Sequence, residues 1–173
     1  MLLPYRPALM SLIRSKPRYV IIHDMSCVFS GIDQLKIDTK FSETKIARDY
    51  NWILNGQVDN NYHFIVERIN TDYETLFGRP LNRMCIYDDI PDNINKRGIH
   101  VALAGKYNLV KPTLRFYQQM AYRCIAPLIY MFAIPMTNIY LHSEITTTDN
   151  LVCPGPFFRK NVFLGQLKTM RVR

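Results

Sequence analysis

Three residues in the sequence carry side chains suited to holding one metal ion, although they lie far apart: His23, His142 and Cys153. His23 closes the β-branched and aromatic run that starts at Arg18, His142 closes the short run Asn138 to Leu141, and Cys153 stands in the loop beyond. Two strands that each deliver a histidine at the C-terminal end, followed by a cysteine in a loop, can gather three ligands from distant sequence. Imidazole and thiolate both suit zinc, and three protein ligands leave a fourth position for water. That opening separates a catalytic ion from a closed structural one, and the water becomes a nucleophile accessible near neutral pH. Taken singly, a histidine at a strand end is more often a hydrogen-bonded surface residue, so the spacing alone does not establish the site.

The elements that must position these residues read as an α/β chain. Arg18 to His23 has no turn residues and suits a central strand buried on both faces. Ser42 to Leu54 places Ile46, Tyr50 and Ile53 on one helical face, with Ser42 as N-cap and Gly56 as the stop. Asn61 to Ile69 alternates in strand fashion, with Tyr62, Phe64 and Val66 on one side and His63, Ile65 and Glu67 on the other. Asn70 to Asp72 supplies a turn, and Tyr73 to Phe77 pairs back as a hairpin. Residues from Gly78 to Arg97, rich in Asp and Asn, predict a surface loop able to wall a groove. Gly98 to Gly105 is a second central strand. Thr113 opens the longest helix, along which Phe116, Met120, Cys124 and Leu128 share a side, with Pro127 kinking or splitting it.

At 173 residues the chain supports one core, and 48% hydrophobic against 21% charged residues is ordinary for a globular protein. The expected organisation is an N-terminal arm over 1–17 and a single domain over 18–173. The arm is apolar, broken by Pro4 and Pro7, and makes a poor export signal; Cys124 to Met136 is too short to span a bilayer. Four cysteines, at 27, 85, 124 and 153, show no Cys-x-x-Cys pair and indicate no disulfide framework, and Cys85 and Cys124 read as small buried side chains. Twenty-two Lys and Arg against fourteen Asp and Glu give +8, which should attract an anionic partner such as a bacterial wall, an acidic membrane or nucleic acid. No basic run interleaved with aromatics marks a specific nucleic-acid site.

Several short stretches then act together. Val20 to His23, Asn61 to Val66, Gly98 to Gly105, and His142 followed by Cys153-Pro154-Gly155 eleven positions on occur in this order. In this the chain resembles the zinc-dependent N-acetylmuramoyl-L-alanine amidases of phage-lysin type and the peptidoglycan recognition proteins, over residues 18 to 160. The resemblance implies an α/β fold: one domain with a central mixed β-sheet of about five strands flanked by helices, as in those proteins. It implies zinc (Zn2+) held by His23, His142 and Cys153, and Tyr62 donating a hydrogen bond to the activated water or the growing oxyanion. The implied reaction is hydrolysis of the amide between the lactyl group of N-acetylmuramic acid and L-alanine, with peptidoglycan as the partner.

Glu144, two residues after His142, is the candidate acid or supporting carboxylate; a solvated side chain is the other reading. His63 and His100 read as structural. Tyr73, Phe77 and Tyr87 are candidates for lining a sugar-peptide groove. The chain departs from the family pattern in two places. Leu151 stands where many members carry a lysine two residues before the cysteine, and Arg83 to Tyr87 lacks the family's groove histidine. Loss of one oxyanion donor costs on the order of a hundredfold in rate. Two functions therefore follow: a phage-encoded lysin reaching the wall from a virion or from host cytoplasm, or an amidase-like domain kept as a structural or wall-binding piece among other virion subunits.

Overall fold

The computed structural model describes residues 16–24, 62–69, 72–105 and 107–170. The helix expected over Ser42 to Leu54 and nearly all of the N-terminal arm lie outside these residues. Five strands form one mixed sheet: β1 (Tyr19–Asp24), β2 (Phe64–Ile69), β3 (Asp72–Phe77), β4 (Gly98–Leu103) and β5 (Ile139–Leu141). Their order is β3-β2-β4-β1-β5. β2, β4, β1 and β5 are parallel, and β3 folds back antiparallel on β2 as the expected hairpin. β1 and β4 occupy the middle and are buried from Val20 and from Ile99 onward, which is why both read as unbroken apolar runs rather than alternating ones.

Four helices complete the described fold: α1 (Asp92–Asn95), α2 (Leu114–Gln119), α3 (Ala126–Phe132) and α4 (Lys160–Thr169). The Thr113 hydroxyl caps α2 by accepting from Phe116 N–H at 3.1 Å. A π-helical segment, Met120–Ile125, joins α2 to α3. Pro127 can supply no N–H to the helix ladder, and the widened turn ends just ahead of it, with Ala126 N–H reaching back to the Ala121 carbonyl. In place of the expected kink or split, the helical run continues through a widened turn ahead of the proline. Phe116, Met120, Cys124 and Leu128 all point into the core beside Val20, Ile22, Val101 and Leu103. Burial there pushes the Cys124 thiol up to about 12. Phe163 and Leu167, four residues apart, dock α4 on the same core.

Among the described residues, the opposite sheet face carries Tyr62, Ile65, Ala102 and Ala104. Strict alternation would put Tyr62 with Phe64 and Val66 against the helices. Instead the chain bends at His63 before β2 begins, and Tyr62 joins the other face. Main-chain bonds hold the bend: Arg79 N–H and Gly78 N–H donate to the carbonyls of Tyr62 and His63. No helix among the described residues is long and apolar enough to cross a membrane.

Candidate metal centre

Register on the sheet decides which side chains meet. β1 and β4 pair Ile21 with His100 and His23 with Ala102, so His23 and His100 rise from the same face one step apart. β5 ends with Leu141 opposite Ile22, and the 3-10 turn that follows brings the His142 ring to 4.6 Å from that of His23, centroid to centroid. The cysteine loop is fastened at both ends. Ser143 N–H donates to the Cys153 carbonyl at 3.1 Å, and Phe157 N–H donates to the Tyr107 carbonyl at 3.2 Å. Gly155, at φ 105°, lies where a Cβ would come within 2.5 Å of the Tyr107 backbone, so only glycine allows the loop to close this tightly. The outcome is that one nitrogen of His23, one of His142 and the Cys153 sulfur lie within 4.8 Å of one another, all three residues buried.

Both imidazoles are held from behind. His23 Nε2 lies 2.9 Å from His100 Nδ1, and His142 Nε2 lies 2.9 Å from Asp89 Oδ2, close enough for ion pairing though off hydrogen-bond alignment. Asp89 is itself anchored, accepting from the Thr146 hydroxyl at 2.7 Å. The nitrogens left over, Nδ1 of His23 and Nδ1 of His142, are buried without a hydrogen-bond partner. Burial, then the neighbouring His100 and His142, lowers the His23 pKa well below the usual imidazole range, so the ring is a neutral donor.

This donor set suits zinc. Imidazole nitrogens and a thiolate are its preferred ligands, and two orphaned Nδ1 atoms beside a sulfur are costly to bury unless something coordinates them.

Around the three, the structure places the other candidates unequally. Tyr62 is buried with its ring 5.5 Å from His23. Glu144 lies outside the three-residue group; its carboxylate accepts from Leu141 N–H at 2.8 Å and pairs with Lys160, which ties down the turn that presents His142. Tyr73 packs edge-on against Phe116 in the helix-side core, and Phe77 is exposed. Tyr87 alone of the three groove candidates reaches the centre, stacked on His23 at 4.7 Å and on His100 at 4.9 Å. Its hydroxyl is enclosed, and burial and Tyr62 raise its pKa well above the usual value. Leu151 is partly exposed and has no polar side-chain atom to offer.

Sequence reasoning missed Asp89 and undervalued His100. Asp89 sits in a polar loop where Asp88-Asp89 reads as turn chemistry, and nothing in its spacing points to His142. His100 carried a signal that went unused, a histidine inside an apolar central strand, where a polar side chain needs a partner.

Compared with known proteins, residues 13–156 match the family model described as N-acetylmuramoyl-L-alanine amidase. No curated protein sequence matches. Among solved structures, a selenomethionine derivative of AmpD superposes with a TM-score of 0.60 at 20% identity, covering 94% of this chain and 88% of that one. The endolysin of Thermus scotoductus MAT2119 bacteriophage Ph2119 gives 0.58 at 18%, covering 90% and 88%. Drosophila PGRP-LB gives 0.51 at 18%, covering 85% of each chain. At these identities the structural likeness speaks for the fold.

Proposed function

The chain belongs to the N-acetylmuramoyl-L-alanine amidase family, and from that premise we propose that it is a zinc amidase cutting peptidoglycan between the lactyl group of N-acetylmuramic acid and L-alanine. The observation that carries this reading is the convergence of His23, His142 and Cys153, with Nδ1 of both rings buried and without a hydrogen-bond partner. Zinc bound there supplies Lewis acidity toward an amide carbonyl and lowers the pKa of water. His23, His142 and Cys153 hold the ion, with Asp89 and His100 steadying the two rings from behind. Tyr62, beside His23, would donate its phenol proton toward the charge that develops on the carbonyl oxygen. Glu144 acts on the site through the turn it caps rather than by touching substrate.

Residues 18–173 form the amidase domain and 1–17 an arm outside it. A phage-encoded lytic role is part of the same reading and is supported by the likeness to a phage endolysin. One observation favours a second reading, a wall-binding or virion-structural domain: Leu151, two residues before Cys153, is apolar where many family members carry lysine.

Purified protein should hold one zinc per chain and release new L-alanine amino termini from peptidoglycan, and Cys153→Ala should lose both. Stoichiometric zinc without cleavage supports the structural role, and absence of zinc overturns the amidase reading and the ligand assignment together.

A further inference from the structure

Behind the three converging residues runs a chain of histidines whose proton positions follow from their partners. His63 Nδ1 accepts from His100 N–H at 3.0 Å, so the His63 proton sits on Nε2, which donates to the Arg83 carbonyl at 3.0 Å. The link from His63 to His100 is thus through the main chain and cannot pass a proton from ring to ring; it fixes the strand that carries the His100 ring. That ring offers Nδ1 to His23 Nε2 at 2.9 Å, while its own Nε2 is buried on the side of the Asn95 backbone carbonyl, outside hydrogen-bond geometry. Space for that edge depends on Gly98, where a Cβ would lie 3.1 Å from His100 Nε2 and 3.2 Å from the Ile94 carbonyl oxygen.

Two tautomeric arrangements satisfy the short His23 to His100 contact. With the His100 proton on Nε2, His100 Nδ1 accepts, His23 Nε2–H donates, and His23 Nδ1 keeps its lone pair facing His142 and Cys153. With the proton on His100 Nδ1, an Nε2 lone pair is buried against a carbonyl oxygen, and His23 must carry its proton on Nδ1, where it cannot ligate anything. Carbonyl and lone pair repel, so the Asn95 backbone selects the first arrangement.

We propose that His100 is a positioning residue that fixes His23 in its Nε2–H tautomer and thereby prepares His23 Nδ1 as a metal ligand. The metal half of this inference rests on the zinc reading above; the tautomer half stands on the His23 to His100 contact and on the Asn95 carbonyl near His100 Nε2. Metal ligands commonly rely on a carboxylate or carbonyl for this task. In this chain a second imidazole performs it for His23, while Asp89 stands behind His142.

Nitrogen-resolved NMR of the histidine rings in the full, metal-free chain tests this. Wild type should show His23 protonated on Nε2 and bare on Nδ1, and His100 bare on Nδ1. His100→Leu should scramble the His23 tautomer and weaken zinc binding, measured by chelator competition, on the order of 10- to 100-fold. His100→Asn, whose Oδ1 can take the place of Nδ1 as acceptor, should restore both within a few-fold. A wild-type His23 protonated on Nδ1, or a folded His100→Leu chain with unchanged tautomer and zinc affinity, overturns the proposal. Should the leucine variant fail to fold, the wild-type spectrum and the asparagine variant still decide. Correct tautomers in a wild-type chain that binds no zinc leave the positioning role of His100 standing and overturn the zinc reading instead.

Discussion

Asp89 shows how a residue can matter without a motif. Its carboxylate lies 2.9 Å from His142 Nε2 and is held by Thr146, so it fixes the direction of the ring and raises the ring's donor strength. Asp89→Asn keeps the size and the Thr146 contact but removes the charge; zinc affinity should fall at least tenfold, read by chelator competition, with little change in unfolding midpoint. His63 gives a pH prediction. Burial lowers its pKa to about 4 from 6.5. Between those values the unfolded chain binds a proton that the folded chain refuses, so stability contributed by the neutral ring is present above pH 6.5 and is lost as pH falls toward 4. At about 1.4 kcal/mol per pH unit the loss reaches at most about 3 kcal/mol. Urea midpoints should drop across this window, and His63→Asn should lessen the drop, with His23 and His100, whose pKa values burial also lowers, accounting for the rest. At this scale the sequence was legible where residue types are scarce and chemically committed: two histidines and a cysteine beside glycine and proline stand out. Asp89 was not legible, because an aspartate in a polar loop has many ordinary reasons to be there.

Among the elements, strands were readable from β-branched runs and helix α2 from its threonine cap, since both signals are local. What locality cannot supply is the side on which a residue emerges after a bend. Tyr62 illustrates this: alternation put it against the helices, and a single irregular step at His63 put it beside His23 instead. The loop bearing Cys153 depends on an equally local feature. Gly155 combines a positive φ with backbone atoms at 2.5–2.7 Å from a notional Cβ. Gly155→Ala should destabilise the fold by on the order of 1–3 kcal/mol from the dihedral alone. It should also weaken zinc binding by displacing Cys153, and denaturation together with metal competition separates the two effects.

For the whole molecule, the sheet order explains how distant sequence becomes one site. β1 lies between β4 and β5, so the segments that end in His23 and His142 and the strand that bears His100 are spatial neighbours though up to about 120 residues apart. The family resemblance brought the two histidines and the cysteine together in the sequence reading; the order of the strands comes from the structure alone. The +8 charge belongs to this scale as well, drawing the protein toward anionic surfaces without choosing a bond to cut. The central claim is that three side chains share one ion, and X-ray absorption spectroscopy of the zinc-loaded chain tests it most directly. It should show one sulfur at about 2.3 Å and two imidazole nitrogens at about 2.0 Å, with a lighter fourth ligand, and Cys153→Ala should erase the sulfur shell. A zinc environment built only of oxygen and nitrogen in the wild type, or a sulfur shell that survives Cys153→Ala, would contradict it.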